Sequence, residues 1–408
     1  MEKAVVKKLD NGFKIAFVPH TGVKTVTLHL RGLAGSNYEE SDEIGCAHIT
    51  EHLSVENRLK ASVIRKGGKV VAVTSRDEVL YMAKVLEEDL LVALKYLHEA
   101  FISKVEDESE LNLQTEIIDK EIKRFTGNQE KLIGRLSYQI LYPDQRIANF
   151  NTGTTSDLDK LNLEKIKHFK QKNYLSNNFC LTISGPRSIK KYLRKAVRIF
   201  SDIKSGDTKT VNLIQNEKKL LQNIVNKQSK LSHIKVDFYG CSLDNKNRVA
   251  LTILAKLVDN FLKAEIKSNK GLAYNVGCES FSSINYGLFS SYCATNPENL
   301  IDVASILLGL KNHLSTILCK TNLELAKNEI SADIMFGYEK TSFRAEFYSQ
   351  FILAGVKKHN LDKELSLIKK VTLRDCKKFA ESLFLQEPKV TAITAKKLGD
   401  QFSVLLSK

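Results

Sequence analysis

Apolar and polar residues alternate along the first part of the chain, a pattern that predicts short β-strands. The alternation runs through residues 3–9 and 13–18 on either side of Asp10-Asn11-Gly12, which predicts a β-hairpin. The same pattern predicts further strands at residues 25–31, 69–74 and 79–85.

Apolar residues spaced three and four apart then predict helices. Leu90, Leu94, Leu97 and Phe101 keep this spacing between Glu88 and Ile102. Other helices are predicted at residues 107–125, 129–141, 158–174 and 189–200, with a strand at 178–184.

The order of elements repeats in outline after residue 228. The pattern there predicts a strand at 233–239, a helix at 247–266, strands up to 293, helices at 297–314 and 322–337, and a strand at 389–394 with a last short helix. The repeat favours an α+β fold of two homologous halves, each a mainly antiparallel sheet with helices packed on one face. A polar, lysine-rich stretch separates them, which predicts an N-terminal half at 1–205, a linker at 206–228 and a C-terminal half at 229–408.

The chain of 408 residues is basic, with 62 Lys and Arg against 47 Asp and Glu and a formal charge of +15. Such a charge favours acidic peptides, nucleic acid or anionic membranes as partners. Basic residues are not interleaved with aromatic ones, which argues against nucleic acid. No window of 18 uninterrupted apolar residues occurs, so we expect no membrane span.

The seven cysteines are scattered singly, without a C-x-x-C pair. Dispersed cysteines are typical of free thiols in a reducing compartment. The N-terminus alternates like a strand and lacks the apolar core of a signal peptide. Together these features predict a cytoplasmic protein.

The stretch around His48 carries the chemistry that the sequence offers most clearly. His48, Glu51 and His52 form the pattern H-x-x-E-H, the inverzincin motif. In a helix, the two histidines share one face and can bind one zinc ion. Glu51 faces the same side, where it can hold a water molecule against the metal. The second half of the chain contains no copy of this motif.

A catalytic zinc site needs a third protein ligand beside its water. The predicted helix at 107–125 offers several carboxylates, and most acidic residues on such a helix are solvated. Spacing alone leaves Glu116 and Glu121 open as the third ligand.

The chain resembles the M16 zinc metallopeptidases, the family of insulinase, pitrilysin and the mitochondrial processing peptidase, in its short two-domain branch. The resemblance covers nearly the whole chain. It is carried by residues 34–39, 45–53, 67–68, Ala72, Thr74, Tyr81, 267–274 and the segment around 326–344.

This resemblance implies an active site and its ligands. The family's third zinc ligand falls on Glu121, and its general base falls on Glu51. Tyr274, with Lys267, is implied to hold the substrate or its oxyanion from the second half. The strand at 69–74 is implied to bind an extended peptide, with Val71, Ala72 and Thr74 as contacts.

Four residues depart from the family pattern. Gln114 replaces a glutamate in the ligand helix, which is expected to weaken zinc retention. Val71 stands where the family has asparagine, Val79 where it has threonine, and Lys267 where it has arginine. Because all three ligands and the base are present, we interpret the chain as an active enzyme.

The expected activity is therefore that of a zinc-dependent endopeptidase. Its substrate would be a peptide or small protein precursor held in a chamber between the two halves. Family members of this length imply pairing with a related chain, in a heterodimer or a homodimer. The alternative is a catalytically silent scaffold or substrate-binding subunit of a peptidase complex.

Overall fold

The computed structural model describes residues 4–206, 211–213, 215, 222–227, 230–395, 398 and 402. Much of the predicted linker and of the predicted last helix lies outside the described residues. The strands are β1 (Val5–Lys8), β2 (Lys14–Pro19), β3 (Thr25–Gly32), β4 (Lys69–Thr74), β5 (Val79–Leu86), β6 (Phe179–Gly185), β7 (Gln222–Asn226), β8 (Ser232–Tyr239), β9 (Ala273–Ser282), β10 (Gly287–Thr295) and β11 (Lys389–Thr394).

The α-helices lie between these strands, several of them in succession between β5 and β6 and between β10 and β11, and the periodicity predicts most of them. They are α1 (Cys46–Val55), α2 (Lys60–Arg65), α3 (Leu90–Ile102), α4 (Glu108–Gly127), α5 (Gln129–Leu141), α6 (Thr155–Leu158), α7 (Leu163–Asn173), α8 (Leu193–Phe200), α9 (Arg248–Leu262), α10 (Leu300–Leu308), α11 (Leu314–Ile317), α12 (Lys320–Tyr338), α13 (Thr341–Leu353), α14 (Leu361–Lys370) and α15 (Leu373–Leu383).

The first sheet has the strand order β1-β2-β6-β3-β5-β4. Only β2 and β6 pair in parallel among its described strands. Its two faces differ because side chains alternate along a strand. On β3, Leu28 and Leu30 are fully buried on the face that α3 covers. Thr27, His29 and Arg31 point to the other face.

The second sheet has the order β7-β11-β8-β10-β9, with β7 and β11 parallel. Helix α9 packs on β9, and α10 packs on β8. Helix α5 lies against β8 and β11, where Lys235 on β8 donates a hydrogen bond to Ser137. The predicted fold, two mainly antiparallel sheets with helices, is confirmed.

The chain forms two compact units that are not contiguous in sequence. The first unit is Met1–Ile122, Asn149–Val211 and Ile334–Lys363; the second is Lys123–Ala148, Asn212–Asp333 and Glu364–Lys408. Helix α13, late in the chain, therefore packs on the first sheet, and α5, early in the chain, packs on the second. The two predicted halves follow from a repeat along the sequence, whereas these units are defined by compactness in space. The predicted boundaries of the halves therefore stay a prediction.

Helix α13 covers the second face of the first sheet, so the expectation of helices on one face is incomplete. The Thr341 hydroxyl on α13 lies 2.9 Å from the Thr27 hydroxyl on β3. Helices α13, α14 and α15 are also missing from the sequence prediction. The apolar residues of α13 surround the helix instead of following one stripe, because the helix is buried on several sides.

One described helical stretch, Pro297–Ile317, is long and apolar enough to cross a membrane, with a mean hydropathy of 1.2. This differs from the expectation that no segment qualifies. The stretch is broken at Gly309, and α10 within it buries Leu300, Val303 and Leu307 against β8 and β10. Of the apolar window in this stretch, 33% is buried inside the structure. All seven cysteines are free thiols.

Candidate metal centre

The H-x-x-E-H motif lies on α1, as predicted. The start of this helix is stabilised by Gly45 and by the side chain of Glu39. Gly45 precedes the helix with a φ of 96°, a conformation that glycine adopts without strain. The Glu39 carboxylate accepts hydrogen bonds from the backbone N–H groups of Gly45 (3.1 Å) and Ala47 (2.8 Å). A carboxylate at a helix N-terminus satisfies unpaired donors and complements the helix dipole. Burial nevertheless raises the pKa of Glu39 well above its usual range.

The structure brings His48, His52 and Glu121 together. One potential ligand atom of each residue lies within 4.8 Å of the others. Glu121 Oε2 is 3.9 Å from His48 Nε2 and 4.0 Å from His52 Nε2. Glu116 on the same helix α4 is exposed and does not belong to this cluster. The packing of α4 against α1 thus distinguishes two carboxylates that spacing left open.

The geometry of these three residues fits a zinc ion. Two imidazoles and one carboxylate are a ligand set of catalytic zinc sites. Bonds of about 2.0–2.1 Å in a tetrahedral arrangement place ligand atoms about 3.4 Å apart. The observed separations of 3.9 and 4.0 Å require each pair to approach by only about 0.5 Å. Zinc binding itself stays a prediction.

Gln114 contacts one of these histidines directly. Its Oε1 lies 3.1 Å from His52 Nδ1, and its side chain is buried. A hydrogen bond from Nδ1–H to the amide oxygen leaves the Nε2 lone pair facing Glu121. Gln114 therefore retains the orienting contact expected of a carboxylate at this position, although it carries no charge.

Glu51 is buried and is held by strand β4. Its Oε2 accepts a 2.8 Å hydrogen bond from the hydroxyl of Thr74, and the Thr74 backbone N–H also donates to the carboxylate. Burial raises the pKa of Glu51, while His52 and the Thr74 contacts oppose this shift. Glu51 lies three residues after His48 on α1, and residues three apart share one face of a helix, so α1 presents both to the same region.

The predicted peptide-binding residues lie on β4, which is the last strand of the first sheet. Val71 is 46% exposed and Ala72 is partly buried. Thr74 is buried and contacts Glu51, so its hydroxyl is engaged in positioning that carboxylate. A strand at the end of a sheet can pair its outer edge with an extended peptide.

The two residues predicted to act from the second half lie in the second unit. Lys267 is exposed on a π-helical turn at Lys263–Asn269, directly after α9. Tyr274 is 88% exposed near the start of β9. Their contribution to catalysis stays a prediction.

Sequence reasoning missed two residues that support the metal centre. Glu39 was noted only as part of a resembling segment, and its capping of α1 depends on a turn that returns its side chain to the helix. The resemblance implies Thr74 as a substrate contact, which stays a prediction, and the structure shows in addition that its hydroxyl donates a hydrogen bond to Glu51. A buried carboxylate needs a hydrogen-bond donor. This requirement is the signal that could have indicated a threonine on the neighbouring strand.

The chain is an α+β protein of two units, each built from a sheet and helices, and the first unit carries an inverzincin helix. These two features define its class. Comparison of the amino-acid sequence with family models supports this classification. Residues 14–154 match "Insulinase (Peptidase family M16)", and residues 160–330 match "Peptidase M16 inactive domain". The chain belongs to peptidase family M16.

Individual relatives and a solved structure agree with this assignment. An uncharacterized zinc protease of Rickettsia bellii is 24% identical over 84% of this chain and 85% of its own length. A probable mitochondrial-processing peptidase subunit beta of Arabidopsis thaliana is 21% identical over 84% of this chain and 68% of its own length. The crystal structure of a protease from Helicobacter pylori has a TM-score of 0.87 at 20% identity, covering 96% of this chain and 99% of that one. At this identity the likeness establishes the fold alone.

Proposed function

We propose that this chain is a zinc-dependent endopeptidase that cleaves a peptide or small protein precursor. The observation that carries the proposal is the grouping of His48, His52 and Glu121 next to a buried carboxylate, Glu51, held by Thr74. Zinc-protease names among the relatives support the metal and the reaction type.

His48, His52 and Glu121 would hold the zinc ion through two Nε2 atoms and a carboxylate oxygen. When bound, zinc lowers the pKa of a water ligand toward neutrality and polarises a carbonyl group. Gln114 fixes the ring of His52, which keeps its Nε2 available to the metal.

Glu51 acts as general base and then as general acid in this proposal. The Thr74 hydroxyl donates a hydrogen bond to its Oε2 and orients the carboxylate, which takes a proton from the attacking water. The carboxyl group can then pass the proton to the leaving amine. Strand β4 would bind the peptide in an extended form, with Val71 and Ala72 contacting neighbouring substrate residues. Tyr274 and Lys267 are proposed to stabilise the oxyanion or the substrate backbone.

A mass-spectrometric screen of a peptide library tests the proposal. The zinc-loaded chain should cleave a subset of peptides, and Glu51→Gln should bind zinc normally but lose cleavage by several orders of magnitude. Glu116→Gln, an equivalent change on the exposed face of α4, is the matched control and should cleave normally. A zinc-loaded chain that cleaves nothing would favour the alternative of a silent scaffold or substrate-binding subunit.

We also propose that the functional form of the protein is a dimer of this chain with a related M16 chain or with a second copy of itself. The Arabidopsis thaliana relative carries the name of a subunit, which supports assembly in the family. Light scattering of the isolated chain, and activity before and after addition of a related chain from the same organism, test this proposal. A monomer that cleaves its natural substrate at full rate unaided would contradict it.

The proposed location is the cytoplasm, supported by seven free cysteines. Cell fractionation with an antibody against the chain tests the location. Recovery in an exported fraction would refute it.

A further inference from the structure

A cavity in the first unit, apart from the metal centre, is lined by four lysines. It has a volume of about 520 Å³, and its basic residues are Lys104, Lys167, Lys170 and Lys204. Pockets of a few hundred Å³ accommodate small organic ligands. This cavity combines a suitable size with a concentration of positive charge.

The wall of this cavity contains fewer carboxylates than lysines. Glu106 lies 3.9 Å from Lys104, at the outer limit of an ion pair, and Asp202 is 3.1 Å from His98. Within the described part of the chain, no carboxylate oxygen lies within 4.0 Å of the ammonium groups of Lys167, Lys170 or Lys204. The cavity wall therefore carries an excess of positive charge.

Lys170 is the unusual member of this set because it is almost fully buried. Its ammonium group donates to the hydroxyls of Ser54 (2.9 Å) and Ser103 (2.8 Å) and to the carbonyl of Ala100 (3.3 Å). These acceptors are neutral, so they satisfy the hydrogen bonds without cancelling the charge. Burial lowers the pKa of Lys170 to about 7, with the charge of Glu99 opposing the shift. An anion in the cavity would favour the protonated, positively charged form of Lys170.

Beside the lysines, Glu106, Asp202, Ser103 and Gln171, the cavity wall has an apolar part. Ile102, Val105, Tyr174 and Ile203 line the cavity together with the lysines. An inorganic anion would leave this surface uncovered. A ligand with an anionic head and a small apolar body would use both kinds of wall.

We propose that this cavity binds a small organic phosphate, with Lys104, Lys167 and Lys204 contacting the phosphate oxygens and Lys170 contributing a buried positive charge. Lysine is a frequent phosphate ligand because it supplies a full charge and three donors. The proposal concerns a second site and does not depend on peptidase activity.

Calorimetric titration of the full-length chain with phenyl phosphate tests the proposal. Binding should be saturable, and Lys104→Ala combined with Lys204→Ala should weaken it about tenfold or more. Both lysines are exposed, so their loss should leave folding intact. Lys95→Ala, on the exposed side of α3 and outside the cavity, is the matched control and should change binding less than about twofold.

Three comparisons locate the binding and define the ligand. A chain with His48→Ala and His52→Ala should bind phenyl phosphate as the wild type does, which separates the cavity from the metal centre. Inorganic phosphate should bind more weakly than phenyl phosphate, and equal affinity would refute the role of the apolar wall. Hydrogen exchange should slow on ligand addition at residues 101–106 and 202–205. No saturable binding, or equal binding to the Lys104/Lys204 variant, would overturn the proposal.

Discussion

His52 Nδ1 lies 3.1 Å from the amide oxygen of Gln114, which stands two turns before Glu121 on the same helix. Sequence comparison treats Gln114 as the loss of a carboxylate. The contact instead identifies it as the residue that orients a ligand histidine. Orientation is retained, and only the negative charge is lost.

This relationship predicts how zinc affinity responds to position 114. Gln114→Ala should weaken zinc binding about 10-fold to 100-fold, the usual effect of removing a partner of a ligand histidine. Gln114→Glu should bind zinc at least as tightly as the wild type, because a carboxylate orients the ring and adds charge. Competition with a zinc-binding dye measures both affinities. Equal affinities for all three chains would show that Gln114 has no role in zinc binding.

Glu121 and Glu116 provide a direct test of the third ligand. Glu121→Ala should lose zinc, since it leaves only two ligands for the metal. Glu116→Ala should keep about one zinc per chain, because this side chain is exposed outside the cluster. Metal analysis of the purified variants gives the answer. A zinc-free Glu116→Ala beside a loaded Glu121→Ala would reverse the assignment.

Thr74 is predicted to act on turnover through Glu51. Thr74→Val removes the hydroxyl that donates to Glu51 Oε2, while the backbone donor remains. A hydrogen bond to a charged group contributes about 1.5–3 kcal/mol, so kcat/KM should fall about 10-fold to 100-fold. Zinc content should not change, since Thr74 does not contact the ligands.

Thr74→Ser serves as the conservative control for this prediction. It keeps a hydroxyl and should retain most of the activity on the same peptide. If Thr74→Val cleaves at the wild-type rate, the hydrogen bond to Glu51 has no catalytic importance.

The buried Arg31 links the first sheet to α13. Its guanidinium group bonds to Glu78 and to Glu346, and His29 Nδ1 lies 3.3 Å from Glu346. Although burial raises the pKa of Glu346, the contacts with His29 and Arg31 lower it to about 2. A carboxylate whose folded pKa is depressed stabilises the protein above its unfolded pKa of about 4.5, and this contribution disappears as the pH falls toward 2.

Glu346→Gln should therefore lower the melting temperature at pH 7. Because the Glu346 side chain is 36% exposed, the expected loss is only about 1 kcal/mol, or about 2–4 °C for a unit of this size. The difference from wild type should shrink between about pH 4.5 and pH 2. Scanning calorimetry measures both curves. Glu381→Gln, an exposed change on α15, should have no effect at either pH; a constant difference between Glu346→Gln and wild type would contradict the ion-pair explanation.

The helices that the sequence does not predict have a shared physical origin. Periodicity identifies a helix when one stripe of it is apolar, as for α3, whose buried residues repeat every three or four positions. Helix α13 buries Ala345, Phe347, Tyr348 and Phe351 in different directions, so no stripe emerges from its sequence. Its place on the first sheet depends on contacts such as Arg31 to Glu346, which are 315 residues apart.

The features that could be predicted from the sequence are those that local geometry dictates. Residues four apart share a helix face, so the pairing of His48 with His52 and the position of Glu51 beside them follow from the motif alone. Strand and hairpin positions follow equally from alternation and turn residues. Three contacts could be seen only in the folded chain: Glu121 lies beside the two histidines, Gln114 contacts His52, and Thr74 donates to Glu51. These contacts join separate elements, and their distances depend on how whole helices and strands pack, which no short-range pattern encodes.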